Sequence, residues 1–311
     1  MLLMTVTRRG FLRNMSLAAL LPPFLLQDSS RLPIAFSTLG CPAWEWQKIL
    51  DFAASHGFAA VELRGLQGNL DLPSHPIFAP DRIAQTRGEI LSHNLRVACV
   101  SSSASLHEKD PAARAKQLSD ARRSIDLASS LNSPYVRVFC SSSDNVPRQK
   151  PNEDLRARVA AGLKELGDYA SSRNVIVLIE SHDNFTSVEV LRDVLTGADS
   201  PHTGLLWDAH HTFADAGESP EYSVSQLGRW IHHTHLKDSV VTNSGKERKY
   251  VLTGRGDIPI QRQIAALKKM NYPGYFCFEW EKVWHPDLED PEIAIADYAR
   301  IVSTYLKNTA S

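Results

Sequence analysis

The sequence predicts a single (β/α)8 TIM barrel over residues 32–308, and three observations carry that expectation. Strand-like and helix-like segments alternate eight times over about 275 residues, the count and length of such a barrel. No Gly-x-Gly-x-x-Gly follows the first strand, as a doubly wound dinucleotide-binding sheet would place there. Strand after strand ends in an acid or a histidine: Glu62, Glu180, Asp208, His235 and Glu279. In a barrel all strand C-termini open on one face, and catalysis is assembled there from side chains of different strands.

Taken in order, residues 32–39 are apolar and β-prone, and Gly40-Cys41-Pro42 ends them. Residues 44–56 put Trp46, Ile49, Leu50 and Ala53 on one helical face, with Gly57 as the stop. Residues 58–63 are the second strand, delivering Glu62 and Arg64, and a Pro-rich loop follows to Pro80. Asp81 caps a helix to Asn94, residues 95–100 are the third strand, and residues 101–105 lie at its mouth. A long helix over 111–131 precedes the fourth strand, 135–140, and the serines Ser141, Ser142 and Ser143.

Residues 152–173 are helical, and the apolar run 175–179 is the pattern of a strand buried on both faces, ending in Glu180-Ser181-His182-Asp183. A helix over 187–195 leads to the sixth strand, 203–207, which ends in Asp208-Ala209-His210-His211. A helix over 219–229 leads to the seventh strand, 230–236, in which His233, His235 and Lys237 share one side by the two-residue period of a strand. Residues 250–258 read as an ordered loop, 259–270 as a helix, 274–278 as the eighth strand and 291–306 as the closing helix.

The first thirty-one residues form a separate region. Thr7-Arg8-Arg9-Gly10-Phe11-Leu12-Arg13 has the form of a twin-arginine export signal, followed by an apolar run over 15–26 that is shorter than the roughly 20 residues of a membrane span. Export to the periplasm through the twin-arginine translocase is therefore expected, with the mature chain starting near residues 27–31. That route carries folded cargo, so a metal can be loaded before export.

Lys plus Arg number 34 against 35 for Asp plus Glu, and no basic stripe marks a nucleic-acid partner. The four cysteines, Cys41, Cys99, Cys140 and Cys277, are too widely spaced for a zinc ribbon or a disulfide framework and read as buried free thiols.

Three carboxylates gathered beside an imidazole repel one another, and a divalent cation removes that cost. The donor set suits one ion, with Mn²⁺ the first choice and Mg²⁺, Co²⁺ or Zn²⁺ also accommodated. Around these residues stand the apolar strand ending in Glu180, the Asp-x-x-His of Asp208 and His211, the His-x-His-x-Lys-Asp of 233–238 and Phe278-Glu279-Trp280-Glu281. Together, in this order, they resemble the sugar phosphate isomerase/epimerase family, the xylose isomerase-like TIM barrels, over residues 32–306.

The resemblance implies metal ligation by Glu180, Asp208, His235 and Glu279. It also implies proton abstraction beside a carbonyl by Glu180 and Glu279 on opposite faces of a sugar, through a metal-stabilised enediolate. Lys237 would stabilise developing charge, and His211 and His182 would orient hydroxyls or move protons. Glu62, Arg137 and Trp284 are further candidate substrate contacts, and Glu281 lies on the strand face of Glu279. Trp44, Trp207 and Trp280 could add a stacking wall.

One departure bears on substrate: where ketose 3-epimerases carry an arginine after the strand-seven histidine, this chain reads Ser239-Val240-Val241. The expected function is a metal-dependent sugar isomerase or epimerase with a small carbohydrate substrate, and self-association into a homo-oligomer is allowed. The alternatives are a lyase or dehydratase eliminating from 3-keto-sugars or 3-keto-glycosides, then an apurinic endonuclease-like phosphodiesterase or a non-catalytic sugar-binding barrel.

Overall fold

The computed structural model describes residues 31–141, 149–242 and 247–308. The segment expected to be an export signal, apart from Arg31, and Ser142 and Ser143 lie outside the described residues. Eight parallel strands close into a barrel in the order β1 (Ile34–Ser37), β10 (Phe276–Phe278), β7 (Ile231–Leu236), β6 (Thr203–Asp208), β5 (Ile176–Glu180), β4 (Tyr135–Phe139), β3 (Arg96–Ser105) and β2 (Ala60–Leu63). The intervening helices are α1 (Trp46–Ser55), α2 (Ile83–Ser92), α3 (Pro111–Ser130), α4 (Glu153–Ala170), α5 (Val188–Ala198), α6 (Ala209–Ala214), α7 (Pro220–Leu227), α8 (Ile260–Lys269) and α9 (Pro291–Asn308). The main apolar core lies between this outer ring of helices and the barrel wall.

Local chemistry explains the alternation. Asp110, Asn152 and Ser219 accept backbone N–H groups of Ala113, Leu155 and Tyr222 at the starts of α3, α4 and α7. At the other ends, Asn94, Asn132, Asn174 and Asn271 take left-handed φ of 54°, 56°, 54° and 57°, turning α2, α3, α4 and α8 back toward the sheet. Arg31, just before the first strand, donates to the carbonyls of Phe58, His93 and Asn94 and so ties the start of the barrel to two strand entries.

Three expectations are corrected. The second helix begins at Ile83 with no side-chain cap, so Asp81 does not cap it. Residues 101–105 belong to β3, which continues past an irregularity in its pairing with β4. The segment expected as a loop over 250–258 starts as a strand: β9 (Arg248–Val251) pairs antiparallel with β8 (Asp238–Val241) in a two-stranded ribbon. Its four residues are too few and too polar to show a strand period before the pairing is known.

Asp238 fastens that ribbon to the barrel. Its Oδ2 accepts the N–H groups of Gly254 and Gly256 at 2.8 and 2.9 Å, and its Oδ1 those of Ser239 and Ile258 at 2.9 and 3.2 Å. A Cβ on Gly256 would run into Asp238 Oδ1 and meet Ser239 O at 2.5 Å. Gly256→Ala is therefore expected to destabilise the fold by about 1–3 kcal/mol, as overpacking typically does. Chemical denaturation of both proteins checks this, and an unchanged midpoint would contradict it.

Candidate active site

Seven strands point a side chain into the barrel and place the site residue two positions later on the same inward face. The pairs are Ala35 and Ser37, Ala60 and Glu62, Tyr135 and Arg137, Leu178 and Glu180, Leu206 and Asp208, His233 and His235, and Cys277 and Glu279. The lower members plug the barrel: Ala35, Ala60, Ala98 and Cys277 pack together, as do Cys99, Tyr135, Leu178 and Leu206. The polar residues above them therefore rest on a dry floor.

Glu180, Asp208, His235 and Glu279 each offer a donor atom, and all four atoms lie within 4.8 Å of one another. His235 Nδ1 is 2.8 Å from Glu180 Oε1 and 3.2 Å from Glu279 Oε1. Its Nε2 donates to Glu62 Oε2 at 2.8 Å, leaving Nδ1 to face those two carboxylates. A neutral imidazole would then aim a lone pair at two anions, so this arrangement requires a cation between them, either a proton or a metal ion. Burial works against the imidazolium, but Glu279, Glu62 and Glu180 raise its pKa well above the ordinary value.

Asp208 divides its two oxygens. Oδ1 accepts the N–H groups of His210 and His211 and so caps α6. Oδ2 is buried without an aligned hydrogen bond, although Lys237 Nζ lies 2.7 Å away. Glu180 Oε2 is likewise buried and without an aligned donor, while Arg137 Nε sits 3.1 Å from it as an ion pair. Two ion-paired carboxylate oxygens without an aligned hydrogen bond, beside an imidazole nitrogen that requires a cation, fit a divalent ion bound by oxygen and nitrogen.

Lys237 is enclosed by acids: Asp208, Glu279 at 2.5 Å and Glu281 at 2.7 Å. Burial favours the neutral amine, but Asp208, Glu279 and Glu281 hold its pKa well above the usual lysine range. Glu279 is in turn kept well below the carboxylate range, because His235 and Lys237 outweigh its burial. Glu281 takes a different place from Glu279, bonding Lys237 and the Tyr250 hydroxyl. Asp238 does not pair with Lys237, since its oxygens hold the ribbon.

His211 donates through Nδ1 to Asp215 at 2.7 Å and keeps Nε2 at 3.5 Å from Asp208 Oδ2. Burial lowers its pKa, yet Asp208 and then Asp215 raise it to about 9. The His182 ring packs edge-on against His211 at 4.8 Å and lies 5.1 Å from Phe139, forming one wall of the mouth.

Some candidates sit elsewhere. Glu62, expected to touch substrate, is fully buried beneath the cluster, where its Oε2 accepts from both His233 and His235 at 2.8 Å. It holds the Nε2 side of His235 in place instead. Trp44, Trp207 and Trp280 are core residues and form no stacking wall, whereas Trp284 is 52% exposed on the segment after β10. The neighbouring His285 packs on Tyr250 at 5.4 Å.

Three contributors were missed at the sequence level. Tyr250 reaches Glu281 from β9, and Arg248 Nε bonds Ser239 Oγ at 2.8 Å. Arg248 also pairs with Asp257 at 2.7 Å, so it braces the ribbon. The third is Arg64, whose guanidinium is buried beside Arg137. A cavity of about 420 Å³ between β3 and α3, lined by Ser102, Ser103, Gln117, Asp120 and Arg123 among others, includes none of Glu62, Glu180, Asp208, Glu279 and Glu281 in its lining. All four cysteines are buried and free.

Residues 50–301 match the family described as the xylose isomerase-like TIM barrel. L-ribulose-5-phosphate 3-epimerase UlaE of Escherichia coli strain ATCC 8739 is 26% identical over 275 residues, covering 86% of this chain and 93% of its own. Among solved structures, the IOLI protein with a bound zinc atom superposes with a TM-score of 0.73 at 16% identity, over 90% of this chain and all of its own (100%). The D-allulose 3-epimerase of a Methylomonas species superposes with a TM-score of 0.71 at 19% identity, over 88% and 98% of the two chains.

Replacing Glu62 by Gln removes the carboxylate that holds His235 Nε2–H. The metal affinity of the purified protein is expected to fall about 10–100-fold, as for other supports of metal-bound histidines. Calorimetric titration with Mn²⁺ checks this, and an affinity equal to wild type would show that Glu62 does not orient the ligand.

Proposed function

The chain belongs to the xylose isomerase-like TIM barrel family, and from that premise we propose that it is a metal-dependent sugar isomerase or epimerase. The carrying observation is the convergence of Glu180, Asp208, His235 and Glu279 from four strands within 4.8 Å, with one oxygen each on Glu180 and Asp208 that takes no aligned hydrogen bond. The relative named as an L-ribulose-5-phosphate 3-epimerase and the family itself support a reaction on a carbohydrate.

A divalent ion, with Mn²⁺ our first choice, would be held by those four residues and would supply a Lewis acid for a carbonyl and its neighbouring hydroxyl. The proton work falls to Glu180 and Glu279. They come from strands on opposite sides of His235 in the barrel order and approach its Nδ1 from two directions. One takes the proton from the carbon next to the carbonyl, and the other returns a proton to the opposite face in an epimerisation.

Each carboxylate is restrained by a cation, Glu180 by Arg137 and Glu279 by Lys237. Lys237, held protonated among three acids, offers N–H donors to oxygen as negative charge develops in the enediolate. His211, with Nε2 free of any aligned partner, is placed to hold a substrate hydroxyl, and His182 flanks it.

Incubation of the manganese-loaded protein with ketoses and keto-glycosides in D2O tests this. Deuterium is expected to enter the carbon next to the carbonyl without a change in sugar skeleton. Glu180→Gln and Glu279→Gln should each slow this by about 10²–10⁴-fold, the usual share of a general acid or base. Products that lose water or an aglycone would replace epimerisation by β-elimination. A wild type that exchanges no proton on any sugar it binds would leave a binding barrel.

A further inference from the structure

Arg64 is a buried charge that the proton chemistry does not use. It follows β2 directly, and its backbone N–H is fixed by Thr38 Oγ1 at 2.9 Å, beside Gly65 in a left-handed turn with φ of 87°. The residue is 4% exposed, and its Nη1 has no hydrogen-bond partner among the described residues. No carboxylate of the described residues makes an ion pair with it; Glu180, Glu279 and Glu62 act on it only at longer range.

Its near neighbour is a second cation. Arg137 stacks its guanidinium 3.8 Å from the centre of the Phe139 ring, and the Arg64 guanidinium lies 6.0 Å from the same centre. Arg137 is already engaged with Ser102 O and Glu180, so it cannot be the partner of Arg64 and instead repels it. A guanidinium buried without an acceptor is costly, and the cost is removed when an anion binds in bidentate fashion. Phe139 also contacts His182, so this corner continues into the wall of the proposed site.

We propose that Arg64, supported by Arg137 and Phe139, is the binding site for an anionic group on the substrate, making the ligand a sugar acid or a sugar phosphate and not a neutral sugar. This rests on the sugar-enzyme reading of the same mouth. Carboxylate and phosphate share the chemistry of paired oxygens facing a planar fork of N–H donors, so the test carries an arm for each.

The full chain loaded with Mn²⁺ is titrated calorimetrically with D-gluconate, D-glucose 6-phosphate and D-glucose, in the wild type and in Arg64→Gln. The expected result is that one anionic probe binds wild type at least about tenfold more tightly than glucose, the worth of a hydrogen-bonded charge pair. Arg64→Gln loses that preference and keeps its affinity for glucose, and Arg64→Lys, a point charge, falls between. Which anionic probe shows the preference identifies the group.

Thermal unfolding gives a second readout. Removing a charge without a partner should leave the melting temperature of Arg64→Gln equal to wild type or higher, whereas a structural guanidinium would make it fall. Equal affinity of wild type for all three probes, an anion preference that survives in Arg64→Gln, or a destabilised or unfolded Arg64→Gln overturns the proposal. Binding needs no turnover, so the two readings separate. Proton exchange without Arg64-dependent anion binding removes this inference alone. Arg64-dependent binding without exchange on any sugar removes the epimerase alone.

Discussion

The structure turns on the mutual repulsion of five carboxylates gathered over a dry floor. Glu62, Glu180, Asp208 and Glu279 are almost inaccessible to water and Glu281 nearly so, in a region where charges interact far more strongly than in bulk solvent. An isolated buried carboxylate would take up a proton or unfold its surroundings. Here each has its own arrangement. Two histidines serve Glu62, Arg137 and His235 serve Glu180, the N-terminus of α6 and Lys237 serve Asp208, and Lys237 joins Glu279 to Glu281.

That pattern explains why the site needs the whole barrel. No two of the four proposed ligands share a strand, so only closure of the sheet brings them together, and closure depends on small residues where the barrel is narrowest. Ala35, Ala60 and Ala98 beside Cys277 leave room for the side chains above to meet across the axis. The two-residue period then puts a functional group over each plug. The ribbon of β8 and β9 is an addition to this frame. Clamped by Asp238, it brings the Tyr250 hydroxyl to Glu281 and is braced by Arg248 on Ser239.

Much of this was legible in the sequence, for definite reasons. The apolar run before Glu180 and the alternation in 231–237 are local patterns, and a carboxylate ending an apolar strand must find a partner. The count of eight units selected the barrel, and the barrel sent the strand ends to one face. Glu62 was misplaced because β2 is only four residues long and sequence spacing does not show how deep in the barrel a residue lies. Its two histidine partners stand more than 170 positions away. The ribbon escaped because its pairing, not its composition, makes it a strand. Arg64 read as the residue that follows the second strand, and its Nη1 proves to have no partner among the described residues, while both histidines hold Glu62.

The proposed chemistry depends on those acids being gathered for a metal ion and not merely tolerated. The direct measurement is anomalous diffraction at the manganese edge from crystals grown with Mn²⁺. One strong peak is expected, bonded to Glu180, Asp208, His235 through Nδ1, and Glu279. A map with no peak among these side chains, or with the metal held elsewhere while His235 keeps its contacts to Glu180 and Glu279, would contradict it.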